Sequence, residues 1–203
     1  MDKDHLMMSR RRFAAGFALG SVALAIPLPL AALTVDEARG LIDKVVKDIN
    51  AIIDSGKSEK QMYSAFEAVF VKYADVAAIA RSALGPPAKK ATAAQMAAFT
   101  KAYQGYLSRK YGSRFREFIG GSIEVTDAKP LKSYYEVISV AHLQGQAPFD
   151  LRWHVGDKSG KLLFFNIIIE GVNMLTSERT EIGAMLDKNG GNLDALIAEL
   201  KTA

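Results

Sequence analysis

The stretch Phe149-Asp150-Leu151-Arg152-Trp153-His154-Val155 alternates apolar and polar side chains without a break. A two-residue period of that kind marks a strand with one buried face and one wet face. Gly156-Asp157-Lys158-Ser159-Gly160 then turns the chain back into residues 162–170. This second run carries Phe164, Phe165 and three consecutive isoleucines, so it reads as a central strand covered on both faces. Working upstream, residues 134–144 are rich in Tyr, Val and Ile and read as another strand, and Ile123-Glu124-Val125 begins a first one. Together they predict an antiparallel meander of about four strands.

Outside the meander the period changes to three and four residues. Thr34-Val35-Asp36-Glu37 is a capping box, in which the Thr34 hydroxyl and the Glu37 carboxylate satisfy free backbone N–H groups. Behind it Ala38, Leu41, Ile42, Val45, Ile49, Ile52 and Ile53 form a helical stripe ending at Ser55-Gly56. Ser58 and Gln61 repeat the box ahead of Met62, Phe66, Val69, Phe70 and Tyr73. A short helix over 75–84 stops at Gly85-Pro86-Pro87. Thr92 and Gln95 open the longest predicted helix, roughly 93–119, with Met96, Phe99, Tyr103, Tyr106, Leu107, Phe115 and Phe118 along one side. Gly120-Gly121 ends it. Two short helices, about 177–188 and 193–201, close the chain, with Asn192 as a cap for the second. Helices, then a meander, then helices give an α+β fold, with helices laid against one face of a curved antiparallel sheet.

The N-terminus has a different character. Ser9-Arg10-Arg11-Arg12-Phe13 precedes an apolar stretch over 14–30 and a small-residue exit at Ala31-Ala32, the anatomy of an export signal. The paired arginines and Phe13 resemble the twin-arginine type, with Ala14 and Ala15 departing from its pattern. The stretch is short for a span of roughly 20 residues and is broken by Pro27 and Pro29, which argues against an uncleaved anchor. The expected mature chain is a single domain over 33–203, placed in the periplasm. Losing Lys3, Arg10, Arg11, Arg12, Asp2 and Asp4 leaves 22 basic against 20 acidic residues. So mild a balance gives no basic stripe for nucleic acid. The absence of cysteine excludes disulfides, thiolate zinc sites and cysteine nucleophiles.

Little in the mature chain suggests covalent chemistry. Only His142 and His154 remain, both expected to face solvent or a neighbouring strand, and no metal-ligand spacing accompanies them. There is no Gly-x-Ser-x-Gly elbow and no glycine-rich phosphate loop. The aromatic residues are more informative. Tyr103, Tyr106, Tyr111 and Phe115 lie on a helix, and Tyr134, Tyr135, Phe149, Trp153, Phe164 and Phe165 lie on strands. They either fill a core or wall a cavity between helix and sheet, and composition does not separate the two.

At Phe165-Asn166-Ile167-Ile168-Ile169-Glu170-Gly171-Val172-Asn173-Met174-Leu175 the chain resembles the MlaC family. Ile79-Ala80-Arg81 before Leu84-Gly85, the Phe99, Tyr103, Leu107, Tyr111 helix, and the segment 176–200 with Arg179 agree with it. Asn166 stands where the family usually has Asp, and Asn173 where it usually has Ser. The resemblance covers the mature chain. It implies a cone-shaped, nuclear-transport-factor-like fold with extra helices, and a carrier of phospholipid as cargo with no cofactor and no catalysis. It further implies exchange between an outer-membrane lipoprotein complex and an inner-membrane ABC transporter, maintaining outer-membrane lipid asymmetry.

On that reading the cavity walls are Phe149, Leu151 and Trp153, then Phe165, Ile167 and Ile169, with Phe164 as the alternative to Phe165, and Tyr103, Tyr106 and Phe115 from the helix. Arg109, Arg114 and Arg116 either face anionic headgroups or are solvated helix charges. Competing readings are an isomerase or dehydratase using Asp150, His154 and a tyrosine, an adaptor with a solid interior, and a carrier of another apolar lipid.

Overall fold

The computed structural model describes residues 33–112 and 117–203. The export-signal reading of residues 1–32, and the positions of Arg114, Phe115 and Arg116, lie outside the described residues. Among those described, six α-helices surround a five-stranded antiparallel sheet of order β1-β2-β3-β4-β5. The helices are α1 (Val35–Ile53), α2 (Glu59–Tyr73), α3 (Val76–Leu84), α4 (Ala93–Gly112), α5 (Met174–Lys188) and α6 (Leu193–Leu200). The strands are β1 (Ser122–Leu131), β2 (Tyr134–His142), β3 (Phe149–Gly156), β4 (Leu163–Ile169) and β5 (Val172–Asn173).

The helix starts follow their capping residues. Thr34 Oγ1 accepts from the Glu37 N–H at 3.2 Å while Glu37 accepts from the Thr34 N–H at 2.9 Å. Thr92 and Gln95 exchange the same pair of bonds, each at 3.1 Å. Of the expected long helix, α4 is described as far as Gly112, and Glu117 and Phe118 lie in a 3-10 turn. Gly112 marks a close approach, because a Cβ there would sit 2.5 Å from the Tyr63 ring of α2. Along the open edge of the sheet, Asn50 of α1 imitates a strand. Its amide donates to Ile123 O at 3.1 Å and accepts from the Ile123 N–H at 3.2 Å, occupying backbone groups that an edge would leave free.

β1 begins where expected, at Ile123-Glu124-Val125, and runs on to Leu131, with Pro130 tolerated because the strand lies at the edge. After β4, Glu170 (φ 49°) and Gly171 (φ 81°) make a two-residue turn that pairs Ile169 with Val172, adding a fifth strand to the expected four. β4 is therefore an interior strand, flanked by β3 and β5. Its outer edge is taken by β5 and, further along, by a bridge between Ala74 and Phe164, where the Asp75 N–H donates to Phe164 O at 2.8 Å.

A bulge sets the faces of β4. His154 pairs with Asn166 and Val155 with Phe164, so Phe165 is an extra residue with no partner on β3. Phe164, Ile167 and Ile169 consequently share the face of Val155, Trp153 and Leu151. His154, Glu136 and Asn166 occupy the other face. Of the two expected roles for His154, solvent-facing or cross-strand, the structure shows the second, with the side chain buried: the rings of Tyr134 and Phe165 lie over it at 4.8 and 5.9 Å. Its ring nitrogen meets Asn166 Nδ2 at 3.3 Å, and Glu136 lies 3.7 Å away. Burial lowers the His154 pKa against the opposing pull of Glu136.

Candidate functional site

Between the sheet and the helices lies a cavity of about 550 Å³. This falls within the roughly 300–1,000 Å³ of pockets that bury small ligands. The sheet wall is the alternating face of β3 and β4. Phe149, Leu151, Trp153, Ile167 and Ile169 all line it. Both phenylalanines of the bulge border it too: Phe164 presents its ring to Trp153 at 5.3 Å, while the Phe165 ring packs edge-on to Tyr134 on the other face. Trp153 is fixed at its polar end, where Nε1 donates to the buried Ser139 Oγ at 2.9 Å.

The helical wall was only partly expected. Tyr103 lines the cavity, joined by Leu107 and Tyr111 one and two turns further along α4. Tyr106 does not. It is packed against Tyr103 at 6.2 Å, and its hydroxyl donates to Glu181, which turns it into the seam between α4 and α5. Val45 and Ile49 of α1, and Phe66 and Phe70 of α2, complete the wall. Their helical stripes were visible in the sequence, but a stripe facing a cavity and one facing a core use the same residues. Arg109 faces neither headgroup nor cavity: its guanidinium donates to Leu200 O and, at 2.8 Å, to Ala203 O, capping the end of α6.

One part of the wall is polar. Glu178 of α5 is 3% exposed and borders the cavity. It accepts from Lys110 at 2.7 Å, from the Tyr103 hydroxyl at 3.3 Å and from the Tyr111 hydroxyl. Lys110 also reaches Glu181. Burial, reinforced by Glu178, raises the pKa of Tyr103 and Tyr111, and burial with Glu181 pushes Tyr106 up to about 12. Burial opposes the charge on Lys110, but its two carboxylate partners win and raise its pKa. Likewise burial acts against the Glu181 carboxylate, and the bonds from Lys110 and Tyr106 reverse it to a net lowering. The cluster is thus three neutral phenols and a lysine shared by two carboxylates, and it joins α4 to α5 mainly through long side chains.

Asp150 and His154, the residues an enzyme reading would need, do not line the cavity. No group of three or more His, Asp or Glu side chains is arranged to hold a metal ion, and no helix is long and apolar enough to cross a membrane, among the described residues.

The fold has a solved counterpart. A phospholipid-binding protein from Ralstonia solanacearum, determined in complex with a phospholipid at 1.53 Å, matches with a TM-score of 0.68. At 18% sequence identity, covering 80% of this chain and 98% of that one, the likeness speaks for the fold. The sequence likeness is of another kind: residues 41–202 match the sequence model of the MlaC protein, a span from within α1 to the turn after α6 that takes in every strand. The chain belongs to the MlaC protein family.

Proposed function

We propose that the mature chain is a periplasmic phospholipid carrier. Residues 1–32 act as its export signal, and residues 33–203 form one lipid-binding domain. Acyl chains lie against Tyr103, Phe149, Leu151, Trp153, Phe165, Ile167 and Ile169, with the headgroup outside. The route runs between an outer-membrane lipoprotein complex and an inner-membrane ABC transporter, maintaining outer-membrane lipid asymmetry.

The observation that carries this reading is the apolar cavity of about 550 Å³ where an adaptor with a solid interior would have only small voids. Burying an acyl chain is worth about 0.8 kcal/mol per CH₂, so two tails represent on the order of 20 kcal/mol. No lipid crosses water against that cost, whereas a protein wall of comparable apolar surface makes loading and unloading nearly balanced. Docking partners then decide the direction, and no covalent step is needed. The Ralstonia counterpart, solved with a phospholipid, supports the choice of cargo over a polycyclic lipid.

Native mass spectrometry of the mature protein purified from bacterial cells tests the proposal. The expected result is a bound phospholipid, identified after dissociation. A protein always free of lipid, and unable to extract it from liposomes, would defeat it.

A further inference from the structure

A buried titratable side chain outside the cavity is joined to the cavity wall by hydrogen bonds. His154 of β3 is 8% exposed. Its Nδ1 meets Asn166 Nδ2 at 3.3 Å, and its Nε2 faces Glu136 Oε2 at 3.7 Å. At its other end the Asn166 amide accepts the Leu175 N–H through Oδ1, at 3.2 Å. Leu175 lies in the first turn of α5, and Asn166, Met174 and Leu175 all border the cavity.

The backbone fixes the direction of each bond. A peptide N–H only donates, so Leu175 holds the Asn166 oxygen toward α5 and turns the NH₂ group to His154. Nδ1 must then accept, which leaves the imidazole proton on Nε2 beside Glu136. An imidazolium donates from both nitrogens. On protonation, therefore, Nδ1–H points at an NH₂ group, donor against donor in a buried site. Turning the amide over repairs that contact and moves the conflict to the Leu175 N–H. Neither orientation satisfies both neighbours, and a buried donor without an acceptor is costly. Of the two side-chain bonds at the start of α5, the one from Thr176 N–H to Asn173 Oδ1 at 3.1 Å stays within that segment. The Leu175 bond is the one that ties the first turn to β4.

The surroundings do not remove the conflict. Glu136 of β2 favours a charged ring, but Lys129 of β1 at 3.1 Å and Arg152 of β3 at 3.7 Å already share that carboxylate. Arg152 also reaches Asp150 at 3.5 Å. Tyr134 of β2 and Phe165 of β4 lie over the ring. Burial outweighs Glu136 and lowers the His154 pKa. With the first turn of α5 released, Asn166 is free to present its oxygen to Nδ1–H, so the loosened state holds the proton more tightly. A proton shifts an equilibrium toward the state that binds it better. Loosening is thus favoured as the pH falls below about 6.5.

We propose that protonation of His154 turns the Asn166 amide, frees the first turn of α5 and opens the cavity wall at Met174 and Leu175, so that cargo leaves faster in acid. The proposal rests on the carrier reading above and adds its regulation.

The protein is loaded with pyrene-labelled phosphatidylcholine, and release into phosphatidylcholine vesicles is timed at about pH 7.5 and about pH 5.5. Release by wild type is expected to quicken about fivefold in acid, the worth of one net hydrogen bond. His154→Gln has no titrating ring and should release at the same rate at both. Asn166→Asp is the sharper variant. Its two oxygens accept from Leu175 N–H and from Nδ1–H together, so the acceleration should vanish although His154 still titrates. In wild type, NMR should show the Leu175 amide losing its protection from hydrogen exchange as His154 titrates, a measurement independent of whether the variants fold. Equal release by wild type at the two pH values, acceleration retained in either variant, or a Leu175 amide that keeps its protection overturns the switch and leaves the carrier reading standing. Wild-type protein that takes up no phospholipid at either pH sinks both readings.

Discussion

Replacing Glu178 by leucine tests whether the polar bridge between α4 and α5 is a buried, fully satisfied network. The side chain is 3% exposed and accepts from Lys110 at 2.7 Å, Tyr103 at 3.3 Å and Tyr111. Leucine keeps most of the volume and removes every acceptor. Breaking a fully buried ion pair from one side costs about 3–5 kcal/mol. The Lys110 side chain is 28% exposed and keeps Glu181, so that figure is discounted to about 1–2 kcal/mol. The Tyr103 hydroxyl loses its acceptor inside the protein, adding about 1–2 kcal/mol. Together these give about 3 kcal/mol, or roughly 6–12 °C in Tm for a domain of this size. The assay is urea unfolding of lipid-free protein at pH 7, since bound cargo would add its own stabilisation. The midpoint should fall with the slope unchanged. Glu178→Gln keeps one acceptor and should lose about half as much. A loss below about 1 kcal/mol for the leucine variant would refute the network.

Ile167→Arg places a cation on the cavity wall across from Trp153 and should abolish phospholipid co-purification, whereas Ile167→Val should retain it; circular dichroism and thermal melts check that both fold. Ser139→Ala leaves the Trp153 Nε1–H without its acceptor in a buried site, and should cost about 1–3 kcal/mol in urea unfolding, with Ser139→Thr largely sparing it. Stability should also fall as the medium is acidified. His154 has a folded pKa below its ordinary 6.5, so the unfolded chain binds the proton first. Its contribution is complete above that value and is lost as pH drops beneath it. Glu181, also lowered, adds a second loss below about 4.5. Urea midpoints measured from pH 8 downward should show the first decline in wild type and not in His154→Gln.

The sheet face of the cavity was legible because β3 alternates without interruption, so Phe149, Leu151 and Trp153 could be assigned to one side from the period alone. The capping boxes at Thr34 and Thr92 were equally plain, being local chemistry. Legibility failed where a single residue changes the geometry. Tyr103 and Tyr106 sit on one stripe, only about 60° apart around the helix, yet one faces the cavity and the other the α4–α5 seam. Whether that angle matters is decided by where α5 packs, which no local pattern in α4 records. β5 had a usable signal in the Glu170-Gly171 turn between Ile169 and Val172. Glu178 had none, since a glutamate in an amphipathic helix ordinarily faces water.

The bulge at Phe165 has a consequence for the face of the sheet turned away from Trp153. Deleting that one residue would leave Phe164 and Ile167 facing inward as before, because the strand would simply regain its regular alternation. What would vanish is one of the two rings over His154, leaving Tyr134 alone to shield an imidazole whose pKa burial lowers. An inserted amino acid thus helps to weatherproof a histidine while Phe164 and Ile167 keep their places on the opposite face.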